Sequence, residues 1–221
     1  EVTDFQHNFE IDRPVTVAQQ WGLHIHSTHY EVIVFIRGNV DFWIEGRRKK
    51  MKYGDIVIVN PREIHRTFQL DDSEYERILI HVSDSMLKDL STAQTNLLNV
   101  FHKNKAHFLH FSEEEMDRFT HDHMQMRNLW KKKEYGADLL CSAWFQILLI
   151  QISQQMRLAE GSGAWESVAG FVGEALDYVN THMTEDISVQ DIADALNVSQ
   201  SYLSHAFKKS TGYGLWNYVI S

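Results

Sequence analysis

Apolar positions in the first third of the chain come in short, nearly unbroken runs. Tyr30 to Arg37 is dominated by Val, Ile and Phe, the composition of a strand buried on both faces. Gly38-Asn39 punctuates it, and Val40 to Glu45 begins another short run that stops at Gly46. Ile56 to Val59 follows Gly54-Asp55 and ends at Pro61, while Phe68 to Leu70 and Ile78 to Val82 are weaker runs. Strands this short, separated by turn residues, predict a compact β-barrel or sandwich. After about Ser83 the period lengthens. Ser112 and Glu115 make a capping box, and the acidic run Glu113 to Glu115 suits a first helical turn. Met116, Phe119, Leu129 and Trp130 then mark one helical face.

A second helix, from about Ala137 to Leu158, carries Leu140, Trp144, Ile147, Leu148 and Ile152. That is more apolar surface than one barrel wall needs. The expectation is a homodimer formed largely by this helix against an antiparallel copy, with Leu148 and Ile152 toward the partner. Gly161-Ser162-Gly163 is the best linker in the chain. It divides a sensing and dimerisation domain, residues 1–160, from a helical domain, residues 165–221.

The segment Ser188 to Lys209 is the most informative stretch. Ser188 and Asp191 form an N-cap pair, with Ile187 able to staple onto Ile192 across it. Asn197-Val198-Ser199 makes a turn, and Ser199 can cap a second helix whose inner face is Leu203, Ala206 and Phe207. The small Ala193 sits where the helices cross. Gln200, Ser201, Ser204, His205 and Lys208 point outward. Spacing alone fits a generic helix pair as well as a DNA reader.

Composition narrows the classes. A single cysteine, Cys141, excludes an intrachain disulfide and a Cys-rich zinc finger, and favours a reducing compartment. The longest greasy stretch, Ala143 to Ile152, is broken by Gln146 and Gln151 and is too short to span a bilayer. No membrane partner and a cytoplasmic location are therefore expected. The formal charge of −9 argues against a whole surface built for nucleic acid, though not against one binding face. From Trp165 to Ser221 two lysines stand against seven carboxylates, a net −5, which makes this module a poor solo phosphate binder.

The run DISVQDIADALNVSQSYLSHAFKKSTGYGLWNYV, with the preceding ALDYVNTH, resembles the first helix-turn-helix of AraC/XylS transcription regulators. The resemblance covers Val168 to Ser221. It implies a recognition helix in the major groove, with Ser201, Ser204 and His205 toward base edges and Lys208 toward a phosphate. His205 stands where the family often has arginine, a departure that weakens the implied base contact at neutral pH. In the family a second helix-turn-helix follows the linker helix, inside which this chain ends.

Thirteen histidines raise the question of a metal. His24, His26, Glu31 and Gly38 have the spacing H-x-H-x4-E-x6-G, and His65 lies eleven positions after Gly54. Together these resemble the two cupin motifs, which implies that His24, His26, Glu31 and His65 point into the barrel and can hold a divalent metal. Glu63, Pro61 and Gln69 depart from the second motif. The same four side chains, with Trp43, could instead line a pocket for an organic effector such as a sugar. His102, His107 and His110 read as surface residues, and Arg47 to Lys50 as a solvated turn.

The reading is an α+β chain: a cupin-like β-barrel with a helical dimerisation segment, then an all-α helix-turn-helix domain. Its implied work is regulation of transcription, in which a small molecule entering the barrel changes how a dimer engages promoter DNA. The competing reading is a metal-dependent cupin enzyme, a dioxygenase or isomerase. A third is a helical interaction module without DNA affinity.

Overall fold

A computed structural model of the chain describes residues 9–17, 26–44, 47–103, 107–132, 134–159, 174–175, 178–179, 182, 187–211 and 214–216. Nine strands come first: β1 (Phe9–Asp12), β2 (Val15–Thr16), β3 (His29–Arg37), β4 (Val40–Ile44), β5 (Arg47–Lys50), β6 (Asp55–Val59), β7 (His65–Gln69), β8 (Tyr75–Ser83) and, after two helices, β9 (Phe108–His110). The helices are α1 (Asp84–Asp89), α2 (Leu97–Lys103), α3 (Glu113–Lys132), α4 (Ala137–Ala159), α5 (Val189–Ala195) and α6 (Gln200–Thr211). His24 and the Gly161-Ser162-Gly163 linker lie outside the described residues.

Two antiparallel sheets face one another. The larger runs β1-β8-β3-β6-β9, with β2 also on β8, and the smaller runs β5-β4-β7. Both faces of the larger sheet are covered, which is why β3, β6 and β8 lack a polar-apolar alternation. Ile33, Phe35, Val57 and Val59 point between the sheets, where they meet Phe42, Ile44 and Tyr75. Val32, Val34, Ile56, Ile58, Ile78 and Ile80 point the other way, onto Phe119 of α3 and Phe145, Leu148 and Ile152 of α4. The expected α+β architecture holds, with the β half first and the helical half after it.

Two local expectations are corrected. Arg47 to Lys50 is not a turn but strand β5, paired to β4 from Asp41↔Lys50 to Ile44↔Arg47, with Lys49 reaching the buried Asp55 at 2.9 Å. Leu148 and Ile152 do not face outward: both are fully buried against the sheet. Leu140, Ile147 and Leu158 lie roughly 80–140° round the helix from these two, and all three are exposed.

Gly54, between β5 and β6, shows how tightly the barrel edge is drawn. Its φ is +85°, and an added Cβ would sit 2.5 Å from the Phe111 carbonyl oxygen. Gly136 has a similar φ of +80° with nothing within 4 Å. Gly54→Ala is therefore expected to destabilise the protein by at least about 2 kcal/mol more than Gly136→Ala, by urea unfolding. Equal losses would mean that the Phe111 segment yields freely.

Candidate functional site

Between the sheets, at the end where β3 begins and β8 finishes, a carboxylate is buried among imidazoles. Glu31 occupies the inward side of β3 and pairs in register with Val59 of β6 and His81 of β8. His65 opens β7 opposite Ile44, and its ring stacks on Phe42 at 5.9 Å. His26 lies just before β3, its backbone carbonyl accepting from the Arg62 amide at 2.7 Å. A loop, not a strand, presents it.

Three imidazoles meet one carboxylate. His65 Nε2 is 2.8 Å from Glu31 Oε2, His26 Nε2 is 3.5 Å from the same oxygen, and His81 Nε2 is 3.3 Å from Oε1. All four residues are buried. Burial alone would push the Glu31 carboxyl up, but the charge of His65 and hydrogen bonds from His26, His65 and His81 hold it well below the usual carboxylate range. His65 shows the converse: burial pushes it down, yet the Glu31 charge and hydrogen bond raise it above 6.5. Its Nδ1 lies 3.1 Å from the Glu63 carbonyl, so both ring nitrogens face acceptors, as an imidazolium requires.

One ligand atom each from His26, Glu31 and His81 lie within 4.8 Å of one another. That is a donor set of two imidazoles and a carboxylate, suited to a first-row divalent cation. His65 pairs with the same carboxylate from beside that trio.

Of the residues expected from sequence, the fold brings Glu31, His26 and His65 together. Trp43 is corrected. It sits between Phe42 and Ile44 on β4, so it faces away from the barrel interior, and it packs instead in a cluster with helical residues of the C-terminal half. His81 was missed, although a histidine between Ile80 and Val82 interrupts an otherwise apolar run. His107 is also corrected: it is buried, with Nδ1 at 3.3 Å from the Ile58 carbonyl and 3.4 Å from the Glu63 carboxylate. Glu63 also accepts from the backbone and side-chain amides of Asn60, both at 2.7 Å, tying down the turn that delivers His65. A cleft of about 720 Å³ opens beside this turn, lined by residues including Thr28, Tyr30, Arg62, Glu63, Asp84 and His107.

The helical half follows its predicted chemistry closely. Ser188 and Asp191 form a reciprocal capping box, and Asn197 takes φ +55° in the turn. The Ser199 hydroxyl accepts from the Tyr202 amide at 3.2 Å, starting α6. Leu203 and Phe207 are buried, Ser201, His205 and Lys208 are exposed, and Ser204 is half-buried. Tyr202 is exposed beside them, an outward aromatic not expected from the sequence.

Residues 18–145 match the AraC-like ligand binding domain, and residues 179–215 match the bacterial regulatory helix-turn-helix proteins of the AraC family. The chain belongs to the AraC family. An uncharacterized HTH-type transcriptional regulator of Staphylococcus aureus is 25% identical over 191 residues, covering 83% of this chain and 24% of the relative. Its counterpart in strain N315 is 24% identical over 189 residues, with the same coverage of both chains. This chain therefore spans about a quarter of the length of the curated relatives it matches. Among solved structures, the AraC-like transcriptional activator CuxR is 13% identical, with a TM-score of 0.41 over 88% of this chain and 65% of its own. ToxT from Vibrio cholerae is 13% identical, with a TM-score of 0.42 over 96% of this chain and 79% of its own.

The two matches together cover a ligand-binding half and a helix-turn-helix half. Among the described residues, no helix is long and apolar enough to cross a membrane.

The Glu31–His65 pair links this AraC-family sensor's stability to pH. Glu31, with a lowered folded value, contributes stability above its unfolded value and loses it only as pH falls through the folded one. His65, with a raised folded value, contributes fully below 6.5 and loses that contribution as pH rises through the folded value. Metal-free protein should thus lose stability as pH climbs from about 6.5 into the alkaline range. In Glu31→Gln the buried His65 keeps its desolvation penalty and only the support of the Glu63 carbonyl and carboxylate, and this part of the slope should shrink. Urea unfolding at a series of pH values, with His65 followed by NMR, reads both effects; an unchanged His65 titration in the variant would show that the pair does not set it.

Proposed function

We propose that this AraC-family protein is a DNA-binding regulator whose promoter engagement responds to a small ligand held at the His26–Glu31–His81 cluster, with His65 beside it. The observation that carries this reading is the convergence of four buried ionisable side chains between the two sheets of the barrel. Such a group is costly to assemble and is more often kept for binding than for stability. The ligand class the donors fit is a divalent cation, held by His26, Glu31 and His81. When bound, such a cation supplies a Lewis-acidic point to which a hydroxylated or carboxylated effector, a sugar among them, can add its oxygens. Binding requires the imidazoles neutral, so the cation competes with protons and with His65 for Glu31. The effector shifts DNA binding only to the extent that it prefers one arrangement of the chain.

Zinc, nickel and manganese titrated into metal-stripped protein supply the test, read by calorimetry and by melting temperature. A cation at one hundred times its Kd adds about 2.7 kcal/mol of stability, and His81→Ala or Glu31→Gln should remove most of that gain. Stability unmoved by all three metals would eliminate the cation and leave an organic effector as the remaining ligand.

On the DNA side, α6 is the reading helix. Ser201, Ser204 and His205 address base edges and Lys208 a phosphate, each presented by a cap and turn that hold the helix start. With the full-length regulator and an operator selected from random duplexes, His205→Ala should cost about 1–3 kcal/mol at one base position. Lys208→Ala should weaken all sequences alike and flatten the salt dependence by about one unit of slope. The same relaxed specificity from both variants would contradict these roles. A cytoplasmic location accords with this work.

The protein is further read as a homodimer through α4. Leu140, Ile147 and Leu158 lie on one exposed stripe, since eighteen residues bring the helix back to the same bearing. Leu140→Asp with Ile147→Asp should convert dimer to monomer by light scattering without unfolding the barrel. A monomeric wild type at micromolar concentration would rule this interface out.

A further inference from the structure

The two strands β4 and β7 present chemically different faces, because successive strand residues point to opposite sides. Ile44 pairs with His65, Trp43 with Arg66, and Phe42 with Thr67. His65 and Phe42 point inward, where His65 meets Glu31. Trp43 and Ile64 take the alternate side, on the outer surface of a three-stranded sheet. Both are nevertheless buried, at 2% and 5% exposure. The hydrophobic cluster that contains them also contains Ala175, Val179 and the helix-turn-helix core residues Ile192, Leu203 and Phe207.

Cationic and aromatic side chains flank this apolar centre. The guanidinium groups of Arg48 and Arg66 lie 4.9 Å and 4.5 Å from the centre of the Phe68 ring, on the same outer surface. Arg48 is held there by Asp41, at 2.7 Å. The recognition surface stays free: Ser201, His205 and Lys208 are exposed in this arrangement. Docking here orients the DNA-binding unit without covering it.

The geometry points to the outer face of β4 and β7, centred on Trp43 and Ile64, as the docking surface for the chain's own helix-turn-helix unit. It points equally to a coupling route one strand thick, in which whatever happens to the Glu31–His65 pair inside is felt by Ile64 and Trp43 outside. His65 and Ile64 are consecutive, and a packed interior passes a displacement on rather than absorbing it. The coupling part rests on the proposal that the inner cluster is the ligand site; the docking part does not.

Hydrogen exchange with mass spectrometry on the whole 221-residue chain separates the two parts. Trp43→Ala should speed exchange in peptides covering α5 and α6 by about tenfold or more while leaving β3 and β8 unchanged, and Trp43→Phe should restore most of the protection. Unchanged α5 and α6 in Trp43→Ala would overturn the docking surface. Should β3 and β8 accelerate equally, the barrel itself has opened, and the milder Ile64→Ala decides by the same criterion. Coupling is read with Glu31→Gln, which breaks the inner pair without any ligand. It should alter exchange in α5 and α6 in the wild-type background and have no such effect in the Trp43→Ala background. Indifference of α5 and α6 to Glu31→Gln would overturn the coupling, whatever zinc titration shows at the inner site.

Discussion

A carboxylate with no route to water has to be answered by positive charge or by metal, and the sensor half is organised around that requirement. Glu31 is placed inward by the two-residue repeat of β3, with isoleucine and phenylalanine two and four positions on. Leaving it unpaired there would be prohibitive. Three separate pieces of chain deliver imidazoles to it: the loop before β3, the start of β7 and the end of β8. Each delivery has its own support. Arg62 holds the His26 carbonyl, Glu63 and Asn60 brace the turn into His65, and strand register sets His81 beside Glu31. The second cupin-like motif departs from its pattern at Glu63, and this bracing is the physical reason a carboxylate can stand there.

That arrangement makes the cluster poised rather than inert. The carboxylate is stabilised as an anion and one imidazole as a cation, so a divalent ion entering the trio would take over both tasks. A protonated His65 would then lose its counter-charge. A ligand captured as proposed would change the electrostatics at β7, whose outer side packs in one cluster with residues of the helical half. The buried cluster and the helical half meet alternate residues of the same two strands, so a single backbone separates them.

Long-range pairing explains most of what sequence could not place. His81 lies 50 residues from Glu31, and nothing local marks it as a partner. Its neighbours Ile78, Ile80 and Val82 read as an ordinary buried strand, and only the register of β8 on β3 turns its side chain to the carboxylate. An aromatic side chain such as Trp43 suits a pocket, but the parity of its position on β4 sends it outward. His107 follows the polar run Lys103 to Lys105, which reads as surface. It is buried because β9 adds to the sheet edge at β6. For α4, the apolar stripe was broad enough to read, while the side that faces the sheet depended on the packing of α3 and α4.

Sequence by itself determined the parts whose physics is local. The capping boxes at Ser112 and Ser188, the turn at Asn197, the strand runs closed by Gly38 and Pro61, and the helix-turn-helix pattern all depend on residues within a few positions of each other. The same locality made the AraC-type module legible and put His26 and Glu31 in one motif. Tertiary structure decided what depends on parity and register: which face of β4 looks into the barrel, which histidine completes the cluster, and which leucines of α4 are exposed. A strand residue's side flips with a single step along the chain. Only the assembled sheets fix which step is taken.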